Sequence, residues 1–138
     1  MTTDANLRHI FDTTQTIAMV GASMKPERAS NRVGHFLVAR GYRVIPVNPG
    51  HAGKTLFGTN VVASLADITE PVDMLDIFRR SEHVFPVVQT ALKTLKGLRF
   101  VWMQLDIFNA DAREMAEARG LTVVEDRCPA IEIPRLMR

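Results

Sequence analysis

Thr16-Ile17-Ala18-Met19-Val20-Gly21-Ala22-Ser23 is the stretch whose reading decides the fold. Thr16 to Val20 reads as a continuous apolar run, the pattern of a strand covered on both faces, and Gly21 ends it. Ser30 to Arg40 then reads as a helix, with Val33, Phe36 and Leu37 apolar, Ser30 or Asn31 available as cap and Gly41 placed to stop it. Arg43 to Val47 is a second strand, closed by the turn-forming Asn48-Pro49-Gly50. A strand, a helix and a strand in that succession point to parallel pairing.

The same alternation runs outward in both directions. A short helix over 4–12 precedes the first strand, capped by Asp4, with Leu7, Ile10 and Phe11 on one face. After a loop over Gly50 to Gly58, Asn60 to Val62 reads as a brief edge strand and Ser64 to Ile68 as a short helix capped by Ser64. Val72 to Phe78 is the next strand, followed by a helix from Ser81 to Leu95 that Ser81 caps and Pro86 bends or shortens. Arg99 to Gln104 is a buried strand, Asn109 to Arg119 a helix stopped by Gly120, and Leu121 to Glu125 the last strand. The expectation is an α/β, three-layer, doubly wound Rossmann-like fold with a mainly parallel sheet of five or six strands. It forms one domain over 1–138 with its core at about 16–128. The segment Pro129 to Arg138, with Ile131, Ile133, Leu136 and Met137, either packs back on this core or meets a partner, another protein or a second copy.

Composition agrees with a globular domain: 138 residues, 46% hydrophobic and 23% charged. The 17 Lys and Arg against 15 Asp and Glu leave a net charge of +2, too small an excess to predict nucleic-acid binding. One cysteine, Cys128, permits no intrachain disulfide and suits a reducing cytoplasm. No apolar run approaches the ~20 residues of a membrane helix, and Met1 to Arg8 lacks the basic and apolar regions of a secretory signal.

In a sheet of this kind ligands sit beyond the carboxyl ends of the strands, where the strand order reverses. The loops to examine are therefore Gly21 to Ser30, Asn48 to Lys54, Phe78 to Ser81 and Gln104 to Asn109. In the first, Gly21, Ala22 and Ser23 allow close approach to the backbone, and the helix that follows offers free amide N–H groups to an anion. Lys25, Arg28 and Arg32 add three positive charges there; the bland alternative is a tight turn with a solvated basic surface. Ser23 and Pro26 occupy places where a G-x-G-x-x-G fingerprint needs glycine, and Asn48-Pro49 ends the second strand where an NAD site carries an acid. A phosphate-binding P-loop motif is absent as well.

Five motifs in order resemble those of the CoA-binding domain family, small stand-alone proteins related to the CoA-binding part of the succinyl-CoA synthetase alpha subunit. They are Val20-Gly21-Ala22-Ser23-x-Lys25-Pro26-x-Arg28, Gly41-Tyr42-x-Val44-Ile45-Pro46-Val47-Asn48-Pro49, Asp76-Ile77-Phe78-Arg79-Arg80, Trp102-Met103-Gln104-Leu105 and Asp126-Arg127-Cys128, spread from about Thr16 to Glu132. The resemblance implies a Rossmann-like sheet with the nucleotide end of coenzyme A (CoA), or of an acyl-CoA, across the first three loops. It implies that Gly21, Ala22 and Ser23 contact the pyrophosphate, that Lys25 and Arg28 neutralise phosphates, that Asn48 and Pro49 flank the adenosine, and that Phe78 and Arg79 close the third side. One position departs. Asp106 stands where the family often carries glycine, and a carboxylate there would repel phosphate or narrow the pocket.

Few residues invite an enzymatic reading. Arg127 beside Cys128 would lower a thiol pKa, but a small buried hydrophobe before Pro129 is the plainer account. His9, His35, His51 and His83 show no metal-ligand spacing, and His35 and His51 read as packed or solvated imidazoles. Asp76 reads as a buried, hydrogen-bonded structural group, and Trp102 and Met103 as core. Succinyl-CoA synthetases use a phosphohistidine from a second domain for which this chain has no room, so ligase chemistry is not expected. The expectation is a cytoplasmic CoA-binding module without catalysis, metal, nucleic-acid or membrane partner. The alternative is a nucleotide-dependent enzyme, either an NAD(P) reductase or an acyl-CoA-handling catalyst.

Overall fold

In the computed structural model, which describes residues 2–137, the first helix α1 (Asp4–Thr13) is capped by Thr3. The Thr3 hydroxyl accepts from the Asn6 amide at 3.1 Å, so the expected cap, Asp4, lies one residue inside the helix. The terminal residues of the segments read above, Met1 and Arg138, lie outside the described residues. After α1 come β1 (Thr16–Val20), α2 (Ala29–Ala39) and β2 (Arg43–Val47). A 3-10 turn at Pro49–His51 leads into a two-stranded antiparallel hairpin, β3 (Thr55–Leu56) and β4 (Thr59–Asn60). Then follow β5 (Met74–Ile77), α3 (Val84–Thr94), β6 (Phe100–Met103), α4 (Ala110–Ala118), β7 (Thr122–Val124) and α5 (Pro129–Leu136).

Five strands form one parallel sheet in the order β2-β1-β5-β6-β7. The order reverses between β1 and β5, and that is the switch point where such sheets bind ligands. Both faces are covered, which is why the strands lack polar alternation. Ile17, Met19, Val44, Met74, Trp102 and Val124 point toward α1, α2 and α5. Ala18, Val20, Ile45, Leu75, Ile77 and Val101 point toward α3 and α4. Pro46 lacks an N–H and is tolerated because β2 is an edge strand. Asp73, just before β5, secures the opposite end of the sheet: its Oδ2 accepts from the Gln15 and Thr16 amides at 2.9 and 3.0 Å.

Several sequence expectations are corrected. The segment 60–62 is no edge strand of the main sheet; Asn60 belongs to the hairpin, and Val62 makes only an isolated parallel bridge to Val47. The hairpin docks through Phe57, whose ring lies where a Cβ on Gly34 of α2 would be, with His35 edge-on to it at 5.1 Å. Neither Ser30 nor Asn31 caps α2. Arg28 is the N-cap, without a side-chain bond, and both polar residues are buried in the first turn. The helix expected from Ser81 begins instead as a 3-10 turn (Ser81–His83), and α3 starts at Val84, two residues before Pro86. Ser81 does not cap it; its Oγ accepts from the Phe108 amide. Ser64 does cap the 3-10 turn Leu65–Asp67, and Asn109 caps α4.

The tail is helical and packs back on the core. Ile133 of α5 is buried against α1 and α2. Glu132, also buried, bridges Arg127 and Arg135, and Arg135 reaches Asp4 of α1 at 2.9 Å. The indole Nε1 of Trp102 donates to the Arg127 carbonyl at 2.7 Å, which fixes the start of this last segment.

Candidate functional site

The register places the ends of β1, β2 and β5 side by side: Val20 pairs with Val47 on one flank and Ile77 on the other. Gly21, Asn48 and Phe78, the residues that follow, therefore meet at the switch point. The Gly21 amide donates to Val47 O at 3.2 Å, and the Phe78 amide to Val20 O at 2.9 Å. Gly21 has a φ of +84°, and a Cβ there would run into the Phe78 carbonyl. Glycine is required at this position on both counts.

Two cavities open on either side of this junction. One, of about 390 Å³, is lined by Gly21, Ala22, Ser23, Lys25, Arg28, Ala29, Ser30, Asn48 and Phe78. The other, of about 490 Å³, is walled by Val20, Val47, Pro49, Leu65, Pro86 and Val87, with Gly21, Asn48, Ser64, Thr90 and Arg79 also on its surface. Gly21 and Asn48 belong to both, so one extended ligand can cross the edge of the sheet between them. All nine residues singled out in the sequence line one cavity or the other. They do not form one ring, because Phe78 faces the first and Arg79 the second.

Two asparagines hold the loop after β1 in shape. Asn48 Nδ2 donates to the Ala22 carbonyl at 2.8 Å while its Oδ1 accepts from the Gly50 amide at 2.8 Å. Asn31 Nδ2 donates to the Ser23 carbonyl at 2.9 Å, and Ser23 Oγ accepts from the Lys25 amide. With those carbonyls engaged, the cavity is lined by the N-terminal turn of α2, whose first amides have no intrahelical acceptor. Lys25 and Arg28 are exposed, and neither is ion-paired among the described residues. Arg32 does not join them; its guanidinium donates to the Glu27 carbonyl.

The far wall of the larger cavity was not anticipated from the sequence. Pro86, Val87 and Thr90 come from α3 and Ser64 and Leu65 from the preceding 3-10 turn. A signal existed in the placing of Thr90 beside the buried Val84, Val88, Ala91 stripe. Asp106, expected to crowd the pocket, lines neither cavity. Its amide donates to Asp126 Oδ1, and its φ of +65° explains why glycine suits this turn.

Cys128 is buried, and burial pushes its thiol pKa up, further raised by Asp76 and Glu132 against the lowering pull of the Ala130 and Ile131 amides. Cys128 is thus the small buried group that the sequence favoured, and the Arg127 guanidinium beside it in sequence is held by Glu132 at 2.5 Å. Asp76 is buried as expected, with Oδ1 accepting from Gln104 Nε2 at 2.7 Å, but Oδ2 has no partner among the described residues. Burial lifts its carboxyl to about 7, with the Gln104 bond opposing the rise. The folded state thus retains a proton that the unfolded chain releases near 3.8, so stability falls as pH rises from about 4 to about 7 and levels off above. Asp76→Asn removes that slope. Thermal melts at pH 5 and pH 8 are expected to show the variant gaining on the parent, by on the order of 5 °C at the higher pH.

A family model described as "CoA binding domain" matches residues 15–134. The protein YneT of Bacillus subtilis is 35% identical over 124 residues, covering 90% of this chain and 89% of its own. A Thermus thermophilus structure titled cell-free ID.343 superposes with a TM-score of 0.91 at 38% identity, over 99% of this chain and 100% of that one. A Candidatus Korarchaeum cryptofilum acetyl-coenzyme A synthetase, solved with phosphate and ADP, matches 79% of this chain with 25% of its own, at 26% identity and a TM-score of 0.65.

Proposed function

The chain belongs to the CoA-binding domain family, and from that premise we propose that it is a small cytoplasmic protein that holds the nucleotide end of CoA or an acyl-CoA and carries out no chemistry itself. The observation that carries this reading is the pair of cations Lys25 and Arg28, exposed and not ion-paired among the described residues, at the approach to α2 and beside a largely apolar cavity that shares Gly21 and Asn48 with theirs. CoA carries about four negative charges on its pyrophosphate and 3′-phosphate, which basic side chains and helix amides can balance. Gly21, Ala22 and Ser23 would lie against the pyrophosphate, with Phe78 across from them. The adenosine would enter between Asn48, Pro49 and the α3 wall, under Arg79. Asn48 supports this ligand over a nicotinamide dinucleotide: it stands where an acid would hold the ribose, and both its polar atoms are spent on the loop.

Thermal shift with CoA, acetyl-CoA, NAD, NADP and ATP tests the reading. CoA and acetyl-CoA at about a hundred times Kd are expected to raise Tm by on the order of 5–10 °C. A rise with NAD or NADP and none with CoA would replace the proposal by a dehydrogenase reading.

A further inference from the structure

Asp76 is wholly buried on β5, two residues before Phe78, whose side of the junction lines the cationic cavity. The groups facing it are few. Its register partners, Met19 on β1 and Trp102 on β6, are neutral, as are Ser30 and Asn31 in the buried first turn of α2 on the same side of the sheet. Gln104 supplies one neutral hydrogen bond. From the connection between β7 and α5 comes Cys128, whose thiol feels the Asp76 charge. Glu132, which also acts on Cys128, is neutralised by Arg127 and Arg135. No cation pairs with Asp76 among the described residues, and Oδ2 is left bare.

We infer that Asp76 takes up a proton on Oδ2 when an anionic ligand fills the cavity at the N-terminus of α2, so that ligand binding and proton uptake are coupled. This rests on the reading of that cavity as the phosphate site for CoA. The reason is electrostatic: a second negative charge brought to the end of the same strand acts on a carboxylate with no counter-ion, through an interior that screens poorly. The carboxyl sits at about 7, so both of its forms are populated near neutrality and a modest push changes its occupancy. Linkage then requires the converse, that the protonated protein binds the anion more tightly. The proton comes from solvent, and no other bond is made or broken.

Calorimetry of CoA binding at pH 7.5 in HEPES and in Tris, buffers of different ionisation enthalpy, counts the protons. The parent is expected to take up a fraction of a proton more than Asp76→Asn, and the ligand's own phosphate titration cancels between them. From pH 6 to pH 9 the parent's affinity should fall about threefold to tenfold more than the variant's. Should the variant not fold, carboxyl ¹³C NMR of the parent decides, with the Asp76 midpoint expected to rise by about half to one unit on adding CoA. Equal proton uptake in both proteins, or a midpoint unmoved by CoA, overturns the coupling while leaving CoA binding intact. Absence of CoA binding at every pH overturns the functional reading, and the coupling with it.

Discussion

Replacing both Lys25 and Arg28 by alanine is expected to weaken CoA binding by about a hundredfold while leaving the fold intact. Charge-assisted bonds contribute about 1.5–3 kcal/mol each, and every 1.4 kcal/mol is a factor of ten, so two such contacts partly exposed to water give roughly that loss. Both side chains are exposed, neither is ion-paired among the described residues, and Arg28 makes no side-chain bond as the N-cap of α2. Denaturation midpoints of the double variant should therefore match the parent. The salt dependence of affinity is the second readout. It should flatten in the variant, because screening acts on the charges that have been removed. Unchanged affinity measured by calorimetry would mean that the phosphates are held elsewhere.

Gly21→Ala is expected to cost about 3 kcal/mol of stability and to abolish binding at any accessible ligand concentration. A left-handed conformation costs a non-glycine residue roughly 1–2 kcal/mol, and forcing a methyl group into packed surroundings adds roughly 1–3. Here the obstacle is the Phe78 backbone carbonyl, which cannot rotate away as a side chain would, because the neighbouring amide is bonded to Val20. Gly41→Ala provides the control. Its φ is +97° but nothing lies within 4 Å of the new Cβ, so only the conformational part of the cost remains. Urea unfolding of the two variants should separate them by about 1–3 kcal/mol. Equal stabilities would show that the contact between the β1 and β5 loops is not tight in solution.

Most of the fold was legible from Thr16–Val20 and its counterparts because burial on both faces writes itself into a strand as an unbroken apolar run. Ser64 was legible as a cap for a local reason, since it satisfies amides within three residues of itself. What escaped was non-local or too short to show a period. The hairpin strands β3 and β4 are two residues each, and the hairpin is held by Phe57 against Gly34 of α2, far away in sequence. Prolines at 129 and 134 disguised α5, whose helix is secured by its packing on α1 and α2 and by the Arg127, Glu132, Arg135 and Asp4 network. In the site, Lys25 and Arg28 could be named because they follow the first strand at once. Thr90 and Ser64 could not, because only the packing of α3 beside the 3-10 turn brings them to the cavity.

The sequence by itself determined the strand and helix succession and the loop that bears the cations. These depend on periodicity, turn chemistry and charge, which act over a few residues. Only the tertiary structure decided that the nine candidate residues line two cavities joined at Gly21 and Asn48, that Asp106 stands outside both, and that Asp76 is buried with one carboxyl oxygen unpartnered among the described residues. Those facts follow from strand register and helix packing, which set distances between residues tens of positions apart and the extent to which water reaches them; burial, and with it the affinity of a carboxyl for its proton, is a property of the assembled core.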